Sequence, residues 1–161
     1  MRQSSTLVLT IALTLLAAIM LAIVPLPDWS RAFRPEWVLL VLIYWSMALP
    51  AMVGVGVAWS VGLLMDVMEG SLIGQHALGF AVTVYVVLHL YQRIRAFPLA
   101  QQAAAVTLLL IPYMSVSLWV LGMSGHSPGA WRYWAPLLTS ALVWPVVFPV
   151  LRSLRRRATR F

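Results

Sequence analysis

The chain has 161 residues, 62% of them apolar and only 9% charged, and its mean hydropathy is +0.91. Soluble domains run at about 45–50% apolar and about 25% charged, so water cannot be the main solvent of this fold, and the sequence reads as an integral membrane protein. Eleven arginines against four acids give a net charge of +7, with no lysine and no cysteine; that excludes disulfides, thiolate metal sites and cysteine nucleophiles.

In chain order, the first apolar stretch predicts a span over residues 5–26, opened by Ser4, Ser5 and Thr6 and closed by Pro25 and Pro27. Its apolar run is longer than the roughly 7–15 residues of a secretory signal core, so it is read as a retained span. Asp28, Trp29, Arg31 and Arg34 form a polar connection. The stretch from Trp37 to Met68 is too long for one crossing and somewhat short for two. Pro50 in its middle disfavours helix at Leu49, so two short helices are predicted, 36–49 and 51–68, with a turn near Leu49-Pro50-Ala51. Asp66-Val67-Met68-Glu69-Gly70 is a polar break. Helices follow over 74–91, over 99–121 with Pro112 inside, and over 131–151 with Pro136, Pro145 and Pro149 interrupting; Gly122 to Pro128 forms a loop and residues 152–161 a basic tail. The expected fold class is an all-α, six-helix transmembrane bundle in a single domain. Six spans of about 20 residues use roughly 120 of them, leaving no room for a catalytic head outside the bilayer.

Arginine placement sets the orientation. One side collects Arg2, Arg93, Arg95, Arg152, Arg155, Arg156, Arg157 and Arg160; the other collects only Arg31, Arg34 and Arg132. The richer side belongs in the cytoplasm, which puts both termini there. This pattern accounts for the high charge without nucleic acid. The Arg-rich tail would also attract anionic lipid.

Gly54, Ala58, Gly62 and Asp66 recur every four residues and form one helical stripe. Small residues at this spacing allow close helix approach, and Asp66 continues the stripe, so it should face protein rather than lipid. An acid there can anchor a helix interface, mark the end of a span or carry a proton. Glu69 can share its face, and His76 can pair with either acid across the turn. Gly70 and Gly74 frame that turn, where Gly70 permits an unusual backbone. His76, His89 and His126 lack metal-ligand spacing, and no serine has a positioned His/Asp set, so no cofactor, metal site or catalytic residue is expected.

Three blocks resemble the rod shape-determining MreD family. They are Arg34-Pro35-Glu36-Trp37 with the apolar run to Tyr44-Trp45; Gly62-Leu63-Leu64-Met65-Asp66 with Gly70, Gly74, Gln75, His76, Ala77 and Leu78; and Gln92-Arg93-Ile94-Arg95 with Phe97-Pro98-Leu99, Gln101 and Gln102. The resemblance implies a non-enzymatic subunit of the bacterial cell-elongation machinery, placed in the inner membrane and partnering MreC. MreB, RodA and a penicillin-binding transpeptidase belong to the wider assembly, and a homo-oligomer is a further option. It also implies a fold similar to the S-components of vitamin transporters, without their activity. The motif positions carried over are Arg34, Pro35, Trp37, Gly62, Asp66, Gly70, Gly74, His76 and Arg93, expected to shape the fold and a helix-packing surface together with Gly54 and Ala58. Position 36 holds Glu where the family pattern leads one to expect Asp. The alternative reading is an S-component-like binding or transport component, with Asp66, Glu69 and His76 lining a cavity.

Overall fold

The computed structural model describes residues 2–126, 129 and 131–160. Ser127 and Pro128 of the expected loop, and the Arg2 side chain counted in the charge balance, lie outside what is described. Among the described residues all regular structure is helical: α1 (Arg2–Ile23), α2 (Asp28–Arg31), α3 (Trp37–Ala48), α4 (Val55–Glu69), α5 (Gln75–Arg95), α6 (Leu99–Met123), a 3-10 turn (Arg132–Trp134) and α7 (Ala135–Ala158). Among the described residues four stretches are long and apolar enough to cross a membrane: Ser4–Ile23, Gln75–Arg95, Leu99–Met123 and Arg132–Ala158. They turn large apolar side chains outward, among them Val8, Leu13, Met20, Leu108, Trp119 and Leu142, which lipid accepts and water would not.

The centre is α3. Every residue from Val38 to Met47 is buried, and α3 packs on α1, α5 and α7. A helix apolar on all sides belongs inside such a bundle. At 1.5 Å per residue its 12 residues reach about 18 Å, less than the roughly 30 Å hydrocarbon core. Polar side chains tie it to its neighbours. The Trp45 indole N–H donates to Thr14 Oγ1 in α1 at 2.9 Å, and the Glu36 amide donates to Ser140 Oγ in α7 at 3.0 Å.

The six longer helices alternate in direction, which gives the molecule two faces. Thr6 Oγ1 donates to the Ala158 carbonyl at 3.0 Å, so the start of α1 and the end of α7 share one face, and the ends of α3 and α5 and the start of α6 lie with them. All seven described arginine side chains from Arg93 onward except Arg132 gather at this basic face, with no acidic side chain. Asp28, Glu36, Asp66 and Glu69 all fall on the opposite, acidic face, where Phe33 meets Trp131 across the connections at 6.3 Å between ring centroids.

Several boundaries differ from the sequence expectation. The first helix stops at Ile23, before Pro25, and not at residue 26. The helix expected from residue 51 starts at Val55, because Leu49 and Pro50 open a six-residue connection in place of a tight turn. The helix expected to end at 91 runs on to Arg95, and α6 reaches Met123. The last helix begins at Ala135 and continues through Pro145 and Pro149 to Ala158. Residues 152–158 are therefore helix, not tail: arginine is a good helix former, and the positive charges sit favourably at the negative end of the helix dipole.

Candidate functional site

The site grows out of the turn between α4 and α5. Gly70 ends α4 in the left-handed region, φ +65°, with its amide on the Asp66 carbonyl. The Ser71 amide also reaches that carbonyl, at 3.1 Å. This is the glycine-dependent way to close a helix. Gly74, φ +102°, precedes α5 and provides no side-chain cap. The opening amides of α5 therefore need an acceptor from elsewhere.

Asp66 supplies it from the last turn of α4. Its Oδ1 accepts from Ser71 Oγ at 2.8 Å, from the His76 amide at 2.8 Å and from His76 Nδ1 at 2.9 Å. Its Oδ2 accepts from the Gly74 amide at 2.7 Å and more distantly from the Ala77 amide at 3.4 Å. The side chain is fully buried. A buried carboxylate is tolerable when donors surround it, and here negative charge meets the positive start of a helix. Every partner is a donor, so the group acts purely as an acceptor.

His76 extends the cluster. Its Nε2 lies 3.3 Å from Glu69 Oε2, so both ring nitrogens face carboxylate oxygens and the ring can donate on both sides only as an imidazolium. Phe80 and Tyr113 pack beside it at 5.8 and 6.0 Å between ring centroids. Arg34, Glu36, Glu69, His76 and Tyr113 line a chamber of about 180 Å³ at the acidic face. Among the described residues no group of three or more His, Asp or Glu side chains is arranged to hold a metal ion.

The other sequence-selected residues divide by position. Ala58 is fully buried and Gly62 faces α5 so closely that an added Cβ would lie 2.4 Å from Ala77 Cα. Gly54, by contrast, caps α4 with nothing within 4 Å of such a Cβ. The lower part of the stripe, Ala58, Gly62 and Asp66, thus packs within the chain. The Arg34 guanidinium donates to the carbonyls of Ala22 and Val24, closing the end of α1. The Pro35 carbonyl accepts from the Trp37 amide at 2.9 Å, which sets the entry to α3. Arg93 is exposed in the last turn of α5, away from the cluster.

Sequence reasoning passed over Gly79 and Tyr113. A Cβ on Gly79 would lie 2.6 Å from the Tyr113 ring, so this glycine admits α6 and brings Tyr113 to His76. The signal was available in part: Gly79 follows His76 by one helical turn and so shares its face.

Comparison with known proteins gives a consistent picture. The family described as rod shape-determining protein MreD matches residues 1–154. The Rod shape-determining protein MreD of Haemophilus influenzae is 32% identical over 143 residues, which covers 87% of this chain and 86% of that protein. No solved structure matches.

Proposed function

The chain belongs to the rod shape-determining protein MreD family, and from that premise we propose that it is a non-enzymatic scaffold subunit of the cell-elongation machinery in the bacterial inner membrane, binding MreC. The family match along nearly the whole chain carries this reading. The site chemistry supports it: the Asp66 oxygens are engaged by donors that fix a turn and a helix start, which is what a structural anchor requires. Arg34, Pro35, Trp37, Gly62, Asp66, Gly70, Gly74 and His76 shape the fold. RodA, MreB and a penicillin-binding transpeptidase are reached through the wider assembly. The six longer helices serve as a bundle of the S-component type, with both termini in the cytoplasm, and the arginines of the basic face draw anionic lipid.

With Ala58 and Gly62 turned inward, the surface proposed for the MreC transmembrane helix lies elsewhere. An apolar groove of about 270 Å³ runs between α1, α3 and α7, lined by Ala17, Ala18, Leu21, Val41, Val146 and Val150 among others. Small residues on α1 let a further helix approach closely. Co-expression with MreC, purification in mild detergent and mass measurement of the intact complex test the reading. The expected species contains both chains, and exposed Ala17→Trp should remove MreC while leaving thermal stability unchanged. Recovery of the chain always without MreC defeats the scaffold reading.

A second reading, an S-component-like small-molecule carrier, has one observation in its favour: the polar chamber bounded by Arg34, Glu36, Glu69 and His76. A metabolite co-purifying in that chamber, and lost in Glu69→Gln, would establish it.

A further inference from the structure

The basic face carries charge that this chain does not answer. Arg95 closes α5, and Arg152, Arg155, Arg156, Arg157 and Arg160 follow one another along and just beyond the last turns of α7. The four acids of the chain lie at the opposite face, and among the described residues none of these arginines has an ion pair or a side-chain hydrogen bond; the salt bridges present are Arg31–Asp28 and those of His76.

The arginines also surround a recess. An inner chamber of about 180 Å³ is bounded by Tyr44, Met47, Arg95, Gln102, Arg152 and Arg155. It adjoins an outer basin of about 580 Å³, with Arg156, Arg157 and Arg160 on one side and Phe97, Leu99 and Pro149 on the other. Arg95, Gln102, Phe148 and Arg152 border both.

The decisive group is Tyr44. It is 2% exposed, and its hydroxyl is a buried polar atom with no hydrogen-bond partner. Such an atom costs about 1–3 kcal/mol when left unmet. Its neighbour Gln102 is directed elsewhere: Nε2 donates to the Ile94 carbonyl at 3.2 Å, Oε1 accepts from the Trp144 indole at 3.3 Å, and neither atom bonds the Tyr44 hydroxyl. Met47 and Ala48 offer no polar side-chain atom. What remains at the chamber wall is three guanidinium groups, and these can only donate.

We propose that this recess binds a phosphate group, held by the Tyr44 hydroxyl and the guanidinium groups of Arg95, Arg152 and Arg155. Guanidinium forks match phosphate oxygens in pairs, and the tyrosine O–H completes a donor set with no carboxylate among the residues that line the two chambers. The phosphate can belong to an anionic lipid, whose chains would run along the Phe97–Leu99–Pro149 side, or to a soluble phosphate. This goes beyond diffuse attraction of lipid to the arginines, because it assigns a role to an uncharged hydroxyl buried a turn inside α3.

The test uses the purified full chain in nanodiscs of neutral phosphatidylcholine. One arm adds phosphatidylglycerol to the disc and measures the lipid retained on the protein after transfer to detergent, by mass spectrometry. The other adds inorganic phosphate and follows its phosphorus resonance. Tyr44→Phe keeps the ring and removes only the hydroxyl, while Arg152→Gln alters an exposed side chain. Each should weaken binding about tenfold, the scale of one lost hydrogen bond to a charged group. Arg93→Gln removes the same charge from the same face but borders neither chamber, and should weaken it no more than about twofold, since an exposed charge that makes no direct contact is largely screened by water and salt. Retained lipid identifies the lipid source, and a response to phosphate alone identifies a soluble one. Equal losses for Arg93→Gln and Arg152→Gln with none for Tyr44→Phe would leave only diffuse attraction and overturn the proposal. Absence of binding in both arms overturns it as well.

Discussion

Asp66 shows how one side chain can determine a whole turn. Five donors converge on it, three of them backbone amides that have no other acceptor in the first turn of α5 or the turn before it. Asparagine has nearly the same shape but replaces one acceptor oxygen with an NH₂ group, which then points at donors. Asp66→Asn should therefore lower stability by about 2–4 kcal/mol, whereas Ser71→Ala, which removes one donor and leaves the amides satisfied, should cost about 1 kcal/mol. Thermal unfolding in a single detergent compares the two. Equal effects would mean that the carboxylate is not the anchor. The residue scale was also the most legible from sequence. An acid continuing a small-residue stripe had to face protein, and the histidine ten residues on was near enough across a glycine-framed turn to meet it. The Tyr44 hydroxyl was not legible, since its environment is assembled from α5, α6 and α7, whose ends meet only in the folded bundle.

At the scale of elements, the α4–α5 hairpin depends on a close approach that the four-residue spacing signalled only for part of its length. Gly54, Ala58 and Gly62 look equivalent in sequence, yet a Cβ meets backbone at Gly62 and open space at Gly54. Gly62→Ala must push α5 away, because the obstructing atoms are main chain; it should cost about 1–3 kcal/mol. Gly54→Ala meets open space and loses only the N-cap preference for glycine over alanine, so it should cost less, about 0.5–1 kcal/mol. Chemical or thermal denaturation of the two variants checks the contrast, and similar values would place α4 in a different register. Helix ends were harder to read than helix centres. Proline was expected to break the last helix, but α7 runs through Pro145 and Pro149, since in a membrane-spanning helix neighbouring groups can re-satisfy the freed carbonyls. Arg34 illustrates the opposite case, a polar side chain that completes a helix from outside. Arg34→Met keeps apolar bulk but leaves the Ala22 and Val24 carbonyls without their donor. It should lower stability by about 1–3 kcal/mol and speed amide exchange in the last turn of α1, measured by mass spectrometry. Unchanged exchange there would show that the cap is dispensable.

The whole molecule is polarised along its helix axes, with the four acids at one face and the arginine-rich helix ends at the other. Hydropathy revealed the membrane character. The arginine distribution predicts a sidedness, but neither could reveal that α3 lies at the centre, because an all-apolar run looks the same against lipid as against protein. That central position lets two short helices complete the bundle: α3 is enclosed by α1, α5 and α7, while α4 lies on α5. The charge asymmetry also makes a topological prediction. Positive charge is retained on the cytoplasmic side during insertion, so Ser153, among the α7 arginines, should face the cytoplasm, and Ser124, just after α6 on the acidic face, should face the other compartment. The chain has no native cysteine, so Ser153→Cys and Ser124→Cys are clean single reporters. In intact spheroplasts a membrane-impermeant maleimide should label Ser124→Cys, and Ser153→Cys only after lysis. Labelling of both positions from the same side would require an even number of crossings between them, contrary to the single crossing of α7 from the acidic to the basic face, and would refute the arrangement of the bundle in the membrane.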